Sequence, residues 1–203
     1  MARNSKTVSA DVLCEFFEVA VHSILYNRKI YPESIFQPKR KYGATVYQSL
    51  HPEINEYISE SLKAVNYHAK KGRLQKLFVC FHTDDVLHEK YIIDVLDLKD
   101  FLEADPFLVD MEQAFRAFCL KIHTSNYYLQ PLPDGANFSI RILTTTYSSL
   151  EFNQEPSFEN FPWIEISDKE FCVESGCIVP IYTIDKDFLK LQIYIEKPAN
   201  PDY

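Results

Sequence analysis

The segment from Ala10 to Phe36, ADVLCEFFEVAVHSILYNRKIYPESIF, constrains this chain more than any other stretch. Asp11, Glu15, Glu18 and His22 recur at spacings of four, three and four, which draws one polar line along a helix of 3.6-residue period. Val12, Leu13, Phe16, Phe17, Val19, Ala20, Val21, Ile24 and Leu25 fill the rest of the circumference. An apolar surface that wide has to be covered on several sides, so the segment predicts a long, mostly buried helix. Ser9 is the expected cap of its first turn, with Asp11 near the positive end of the dipole. Arg28 and Lys29 fall near the negative end, and Pro32 is the expected stop.

The remaining patterns add few elements. His51-Pro52 opens a second helix reaching about Lys70, with Ile54, Tyr57, Ile58, Leu62 and Val65 on its inner face and Gly72 as its terminator. Leu74 to His82 and Lys90 to Leu98 are rich in β-branched and aromatic residues and read as an antiparallel hairpin. A third helix is expected from Leu108 to His123, where Met111, Ala114, Phe115, Phe118, Cys119 and Ile122 recur at helical intervals. After a turn at Pro131 to Gly135, Asn137 to Tyr147 is a strand with Phe138, Ile140 and Ile142 on one face. Between the first two helices, Ile35 to Tyr47 is a hairpin or irregular excursion. Its basic run, Pro38 to Lys41, reads as a solvated loop ahead of a nuclear-import signal. The order predicts an α+β domain, helices backing an antiparallel sheet.

The last quarter follows no single period. Ser148 to Glu174 is acidic and aromatic, with Phe152, Phe158, Phe161 and Trp163 scattered among glutamates, before strand character returns at Cys177 to Ile184 and Phe188 to Glu196. A long irregular stretch ending in strands reads as a functional loop or flap.

Composition narrows the chemistry. The four glycines stand far apart, so no glycine-rich phosphate cradle can form from neighbours. A formal charge of -8 repels nucleic-acid backbones, which argues against direct nucleic-acid binding. No apolar run approaches the roughly 20 residues of a membrane helix. Five cysteines, an odd number with no leader-like segment ahead of them, read as reduced thiols of an intracellular protein. His82 and His88, near Asp84, Asp85 and Glu89, do not match zinc spacings, and Cys172 and Cys177 lack a second pair. No metal, cofactor or catalytic constellation is therefore expected.

The segments ADVLCEFFEVAVHSILYNRKIYPESIF, HPEINEYI, MEQAFRAFCLKI, FPWI and DFLKLQIYIE stand in the order found in HORMA-domain proteins. The chain resembles that family, in particular the branch that serves translesion DNA polymerase zeta as accessory subunits and is related to the mitotic-arrest-deficient proteins. The resemblance spans residues 8–196 and implies one domain, with a core at 8–147, a safety belt at 148–196 and a tail at 197–203. It implies a nuclear, and also cytoplasmic, non-catalytic adaptor in DNA-damage tolerance and repair. The belt would trap a proline-bearing peptide of the polymerase zeta catalytic subunit against a sheet edge, at Tyr57, Trp163, Phe138 and Ile140. On the residues alone, Tyr57 and Trp163 are ordinary core aromatics.

By the same resemblance, Ile178, Gln192 and Tyr194 receive the C-terminal domain of the deoxycytidyl transferase translesion polymerase. A solvated strand face accounts equally well for their alternation. Arg116, and less directly Lys121, lie on a helix like the family's dimerisation helix, for a homodimer or a dimer with another HORMA domain. An AAA+ ATPase remodeller completes the implied partners. Lys29 replaces an acid of a close relative and Glu165 an aliphatic residue after FPWI, so partner contacts differ there. Two other functions remain open. One is a cell-cycle regulator of the same fold that captures an activator of the anaphase-promoting complex, and the other is an enzyme on an α+β fold.

Overall fold

The computed structural model describes residues 5–84, 86–99, 107–145, 155–166 and 173–199. Its centre is helix α1, Ser5–Asn27, in which Leu13, Phe16, Phe17, Ala20, Val21, Ile24 and Leu25 are buried. Each large apolar side chain so buried stabilises the fold by about 1.5–3 kcal/mol. Helix α2, Pro52–Lys70, and helix α3, Phe107–Ser125, flank α1, and the rings of Phe16 and Phe115 stack with centroids 4.1 Å apart.

The ends of α1 depart from expectation. The helix is already formed at Ser5, so Ser9 lies inside it, buried, and its hydroxyl donates to Lys99 O at 3.0 Å instead of capping. At the other end the helix stops at Asn27, well before Pro32. Lys29 takes a left-handed conformation, φ 53°, and that turns the chain. His22 leaves the polar line that Asp11, Glu15 and Glu18 keep: strand β2 covers it, and the Ser49 N–H points to its Nδ1 at 3.4 Å. Arg28 is likewise buried. Helix α2 ends as expected at Gly72, φ +65°, where the N–H groups of Gly72 and Arg73 donate to Ala69 O and His68 O, each at 2.9 Å.

Strands β1, Phe36–Lys41, and β2, Ala44–Ser49, form a separate hairpin against α1. The basic run expected as a loop is thus a strand, and Lys41 Nζ lies 2.7 Å from Glu15 Oε1. The main sheet contains β3, Leu74–Thr83; β4, Val86–Leu98; β5, Asn137–Thr144; β6, Gly176–Asp185; and β7, Leu189–Pro198. All pairings are antiparallel, in the order β5-β3-β4-β7-β6. This is the α+β architecture anticipated, three helices backing an antiparallel sheet.

Chain order and sheet order part company at the C-terminal end. The β6–β7 hairpin docks on β4, three strands away from β5, and buries Leu189, Leu191, Ile193 and Ile195 in the main core. Residues 155–166 run elsewhere, onto α2. The stretch expected as one belt therefore comprises two different structures among its described residues, while 148–154 and 167–172 lie outside them.

Candidate functional site

Strand β5 is a border of the sheet, as the alternation of its residues allowed. Its inner edge is satisfied by β3, with Val79 opposite Ile140 and Phe81 opposite Phe138. Among the described residues no strand pairs with its outer edge. The Ile140 N–H points outward and donates to the Tyr57 hydroxyl of α2 at 3.0 Å, and the Thr145 N–H points the other way, to Arg73 O at 3.0 Å. Backbone groups alternate along an antiparallel strand, so Phe138, Ile142 and Thr144 present theirs outward with Ile140.

Aromatic rings wall this edge. Phe138 meets Tyr57 edge-to-face at 5.4 Å and Tyr31 at 6.2 Å. Tyr57 in turn meets Phe161 at 5.8 Å, and Phe161 meets Trp163 at 6.3 Å. Further along α2, Phe158 packs on Ala64 and lies edge-on to Tyr67 at 5.6 Å. The segment carrying Phe158, Phe161 and Trp163 is thus anchored on α2 and makes no strand pairing with β5, whose outer backbone groups it leaves unoccupied.

Of the four residues expected here, Tyr57, Phe138 and Ile140 are in direct contact, and Trp163 joins them through Phe161. The Ile140 side chain is buried in the core, so only its backbone lies at the outer edge. Phe161 and Phe158 were not singled out from sequence as site residues; their signal was the close aromatic spacing in FENFPW. Ile164, 83 % exposed, and Glu165 extend beyond the wall into solvent. Burial pushes the Tyr57 phenol above its ordinary range, against the pull of the Ile140 N–H, so the hydroxyl keeps its proton.

The opposite border, β6, is built differently. Pro180 sits in mid-strand, and the register with β7 shifts between Pro180 and Tyr182. Proline and a bulge blunt a sheet edge against further pairing. Strand β5 has neither a proline nor a shift between Asn137 and Leu143. Only one of the two borders is shaped to accept a strand.

Ile178, Gln192 and Tyr194 come together on the sheet face away from the helices, at the β6–β7 end. Ile178 stands opposite Glu196, Gln192 opposite Thr183, and Tyr194 opposite Pro180. Gln192 is exposed and Tyr194 half-buried, its hydroxyl accepting from Lys76 Nζ at 3.2 Å while the same ammonium lies 2.6 Å from Asp94 Oδ2. Arg116 is exposed on α3 and lies over the β1–β2 turn, where a methyl group added at Gly43 would stand 3.6 Å from its guanidinium. Exposed Val109 and Leu120 share its helix face. Lys121 is exposed but about 140° around the helix from Arg116, so the two do not form one patch.

Of the metal and thiol candidates, Asp85 lies outside the described residues. His88 Nε2 lies 2.9 Å from Thr83 Oγ1, and Glu89 is buried against Arg28. Cys14, Cys80 and Cys119 are free thiols pushed up by burial to about 12, and Cys177 is also free; Cys172 falls outside the described residues. No described helix is long and apolar enough to cross a membrane.

Comparison with known proteins gives a consistent result. The model of the HORMA domain matches residues 9–162. The human mitotic spindle assembly checkpoint protein MAD2B is 35 % identical over 201 residues, covering 97 % of this chain and 94 % of the relative. DNA polymerase zeta subunit 2 of Drosophila melanogaster is 28 % identical over 192 residues, covering 93 % and 97 %. Among solved structures, a chain of the mitotic checkpoint complex superposes with a TM-score of 0.77 at 20 % identity, over 95 % of this chain and 99 % of that one. C. elegans HTP-2 bound to an HTP-3 closure motif gives 0.69 at 14 % identity, over 95 % and 87 %.

Proposed function

The chain belongs to the HORMA-domain family, and on that premise we propose that it is a non-catalytic adaptor that captures a short extended peptide along the outer edge of β5. The observation that carries this is the asymmetry of the two sheet borders. β5 offers outward backbone groups beside a wall of Tyr57, Phe138, Phe161 and Trp163, whereas β6 is blunted by Pro180 and a bulge. An added strand gains main-chain hydrogen bonds from such an edge and specificity from the pockets beside it.

The guest we assign is a proline-bearing segment of the polymerase zeta catalytic subunit, in keeping with relatives named as subunits of that polymerase. The segment 155–166, running back over α2, would enclose it. Enclosure slows release, so affinity should reside in the off-rate. Ile178, Gln192 and Tyr194 form a second surface, which we assign to the C-terminal domain of the deoxycytidyl transferase polymerase, and the exposed face of α3 around Arg116 to a HORMA–HORMA contact. An AAA+ remodeller fits a protein whose belt has to open.

A cell-cycle reading rests on relatives named for the spindle checkpoint, and it differs only in the guest. Titrating both guest segments against the protein and against Trp163→Ala decides. Tight binding of the polymerase segment alone, weakened about 10- to 100-fold by the substitution, supports the first reading. Preference for the segment of the anaphase-promoting complex activator supports the second.

A further inference from the structure

A strand captured along β5 has two faces, and the aromatic wall meets only one of them. Side chains alternate along β5, so Phe138, Ile140 and Ile142 turn toward the helices while Asn137, Ser139, Arg141 and Leu143 stand on the other face of the sheet. A guest alternates in the same way and sets every second side chain beside that other row. Arg141 is the charged member of the row. It stands opposite Phe78 of β3, with Lys76 opposite Leu143 and His82 opposite Asn137.

Charge on this face is unevenly spread. Carboxylates begin at β4, where Asp94 Oδ2 lies 2.6 Å from Lys76 Nζ, and continue on β7, where Glu196 Oε2 lies 3.0 Å from Lys90 Nζ. The two strands next to a guest, β3 and β5, contain no acidic residue and carry Lys76, His82 and Arg141 on this face. Burial, and then the charge of Arg141, hold the His82 imidazole below its ordinary range, and Lys76 is engaged by Asp94, so Arg141 is the cation that meets the edge.

From this we infer that Arg141 selects an acidic side chain in the captured strand, on the face turned away from the aromatic wall. The inference rests on capture at the β5 edge as proposed above. Since the Ile140 N–H points outward, Arg141 falls at a non-hydrogen-bonded position of that edge, where facing side chains of antiparallel strands come closest. A guanidinium there takes a carboxylate by two parallel N–H···O bonds and repels a lysine. The guest is then read on both faces, by apolar contact towards α2 and by charge towards Arg141.

Peptides matched to the 8 residues of β5 carry valine at every second position, for the helix-facing side, and alanine between. Each alanine in turn is replaced by aspartate, asparagine or lysine, and every peptide is titrated by NMR against the wild-type protein, Arg141→Gln and Arg141→Lys. At one alanine position aspartate should bind about three- to fivefold tighter than asparagine, and lysine weaker than either. Arg141→Gln should bring the aspartate-to-asparagine ratio to about one, while Arg141→Lys keeps part of it. The asparagine peptides should bind all three proteins alike, which separates a lost charge from a lost fold. A ratio of about one in the wild type, an equal aspartate gain at every position, or a gain that Arg141→Gln leaves intact overturns this inference and leaves edge capture standing. Failure of every peptide to bind the wild-type protein overturns both.

Discussion

Arg28, just past the end of α1, and Glu89, on β4, form a buried ion pair across 61 residues of chain, with Nε 2.5 Å from Oε1 and Nη2 3.1 Å from Oε2. The same guanidinium donates to Asn126 Oδ1 and, at 2.7 Å, to Gln130 O. One side chain thus ties the centre helix, the middle of the sheet and the connection that leads from α3 into β5. It stands at the root of the strand to which a guest is assigned.

Removing either partner leaves a buried charge alone. Arg28→Ala or Glu89→Ala should cost about 3–5 kcal/mol in urea denaturation, and the apolar pair Arg28→Met with Glu89→Leu should recover most of that loss. Hydrogen exchange should show Arg28→Ala loosened first in the connection that leads into β5, because Gln130 O loses its donor there, whereas Glu89→Ala keeps it.

Acid should destabilise the protein through two buried histidines. Burial, aided by Lys39 for His22 and by Arg73 and Lys71 for His68, holds both imidazoles down at about 4. A folded-state value below the ordinary 6.5 means that the unfolded chain binds the proton more readily in between. Stability is therefore complete above 6.5 and is lost as pH falls towards about 4. Each histidine should cost about 2 kcal/mol between about pH 8 and about pH 5, read from urea midpoints, and His22→Gln should halve the slope.

The two partner surfaces should act independently. β7 lies three strand spacings, about 14 Å, from β5, and Gln192 and Tyr194 face away from the helices. Gln192→Ala with Tyr194→Ala should abolish binding of the second polymerase domain yet change guest-peptide affinity by less than about twofold. Calorimetric titration of each partner in the presence of the other checks this.

Arg116→Ala should convert a dimer to a monomer in light scattering and leave folding stability within about 0.5 kcal/mol, because the guanidinium is solvent-exposed. Lys121→Ala should leave the association unchanged, since that side chain points away from the Val109–Arg116–Leu120 face.

The secondary structure was largely legible because periodicity is local. Three apolar helices and the strands of both hairpins stand where their 3.6- and 2-residue repeats put them, and the Asn137 strand keeps Phe138, Ile140 and Ile142 inward. Misplaced were the features that depend on what lies across the core. Ser9 looked like a cap because its distant acceptor, Lys99 O, is invisible in local sequence. His22 looked solvent-facing because β2, which covers it, begins 22 residues later.

The sequence by itself determined the helices, the strands and their inward faces, since each follows from repeats within a few neighbouring residues. Which border of the sheet stays unpaired among the described residues was decided only by the fold. The β6–β7 hairpin chooses β4 over β5, residues 155–166 lie on α2, and the Tyr57 hydroxyl reaches Ile140 across 83 residues. Those arrangements join groups remote along the chain, and only packing in three dimensions brings them within a hydrogen bond of one another.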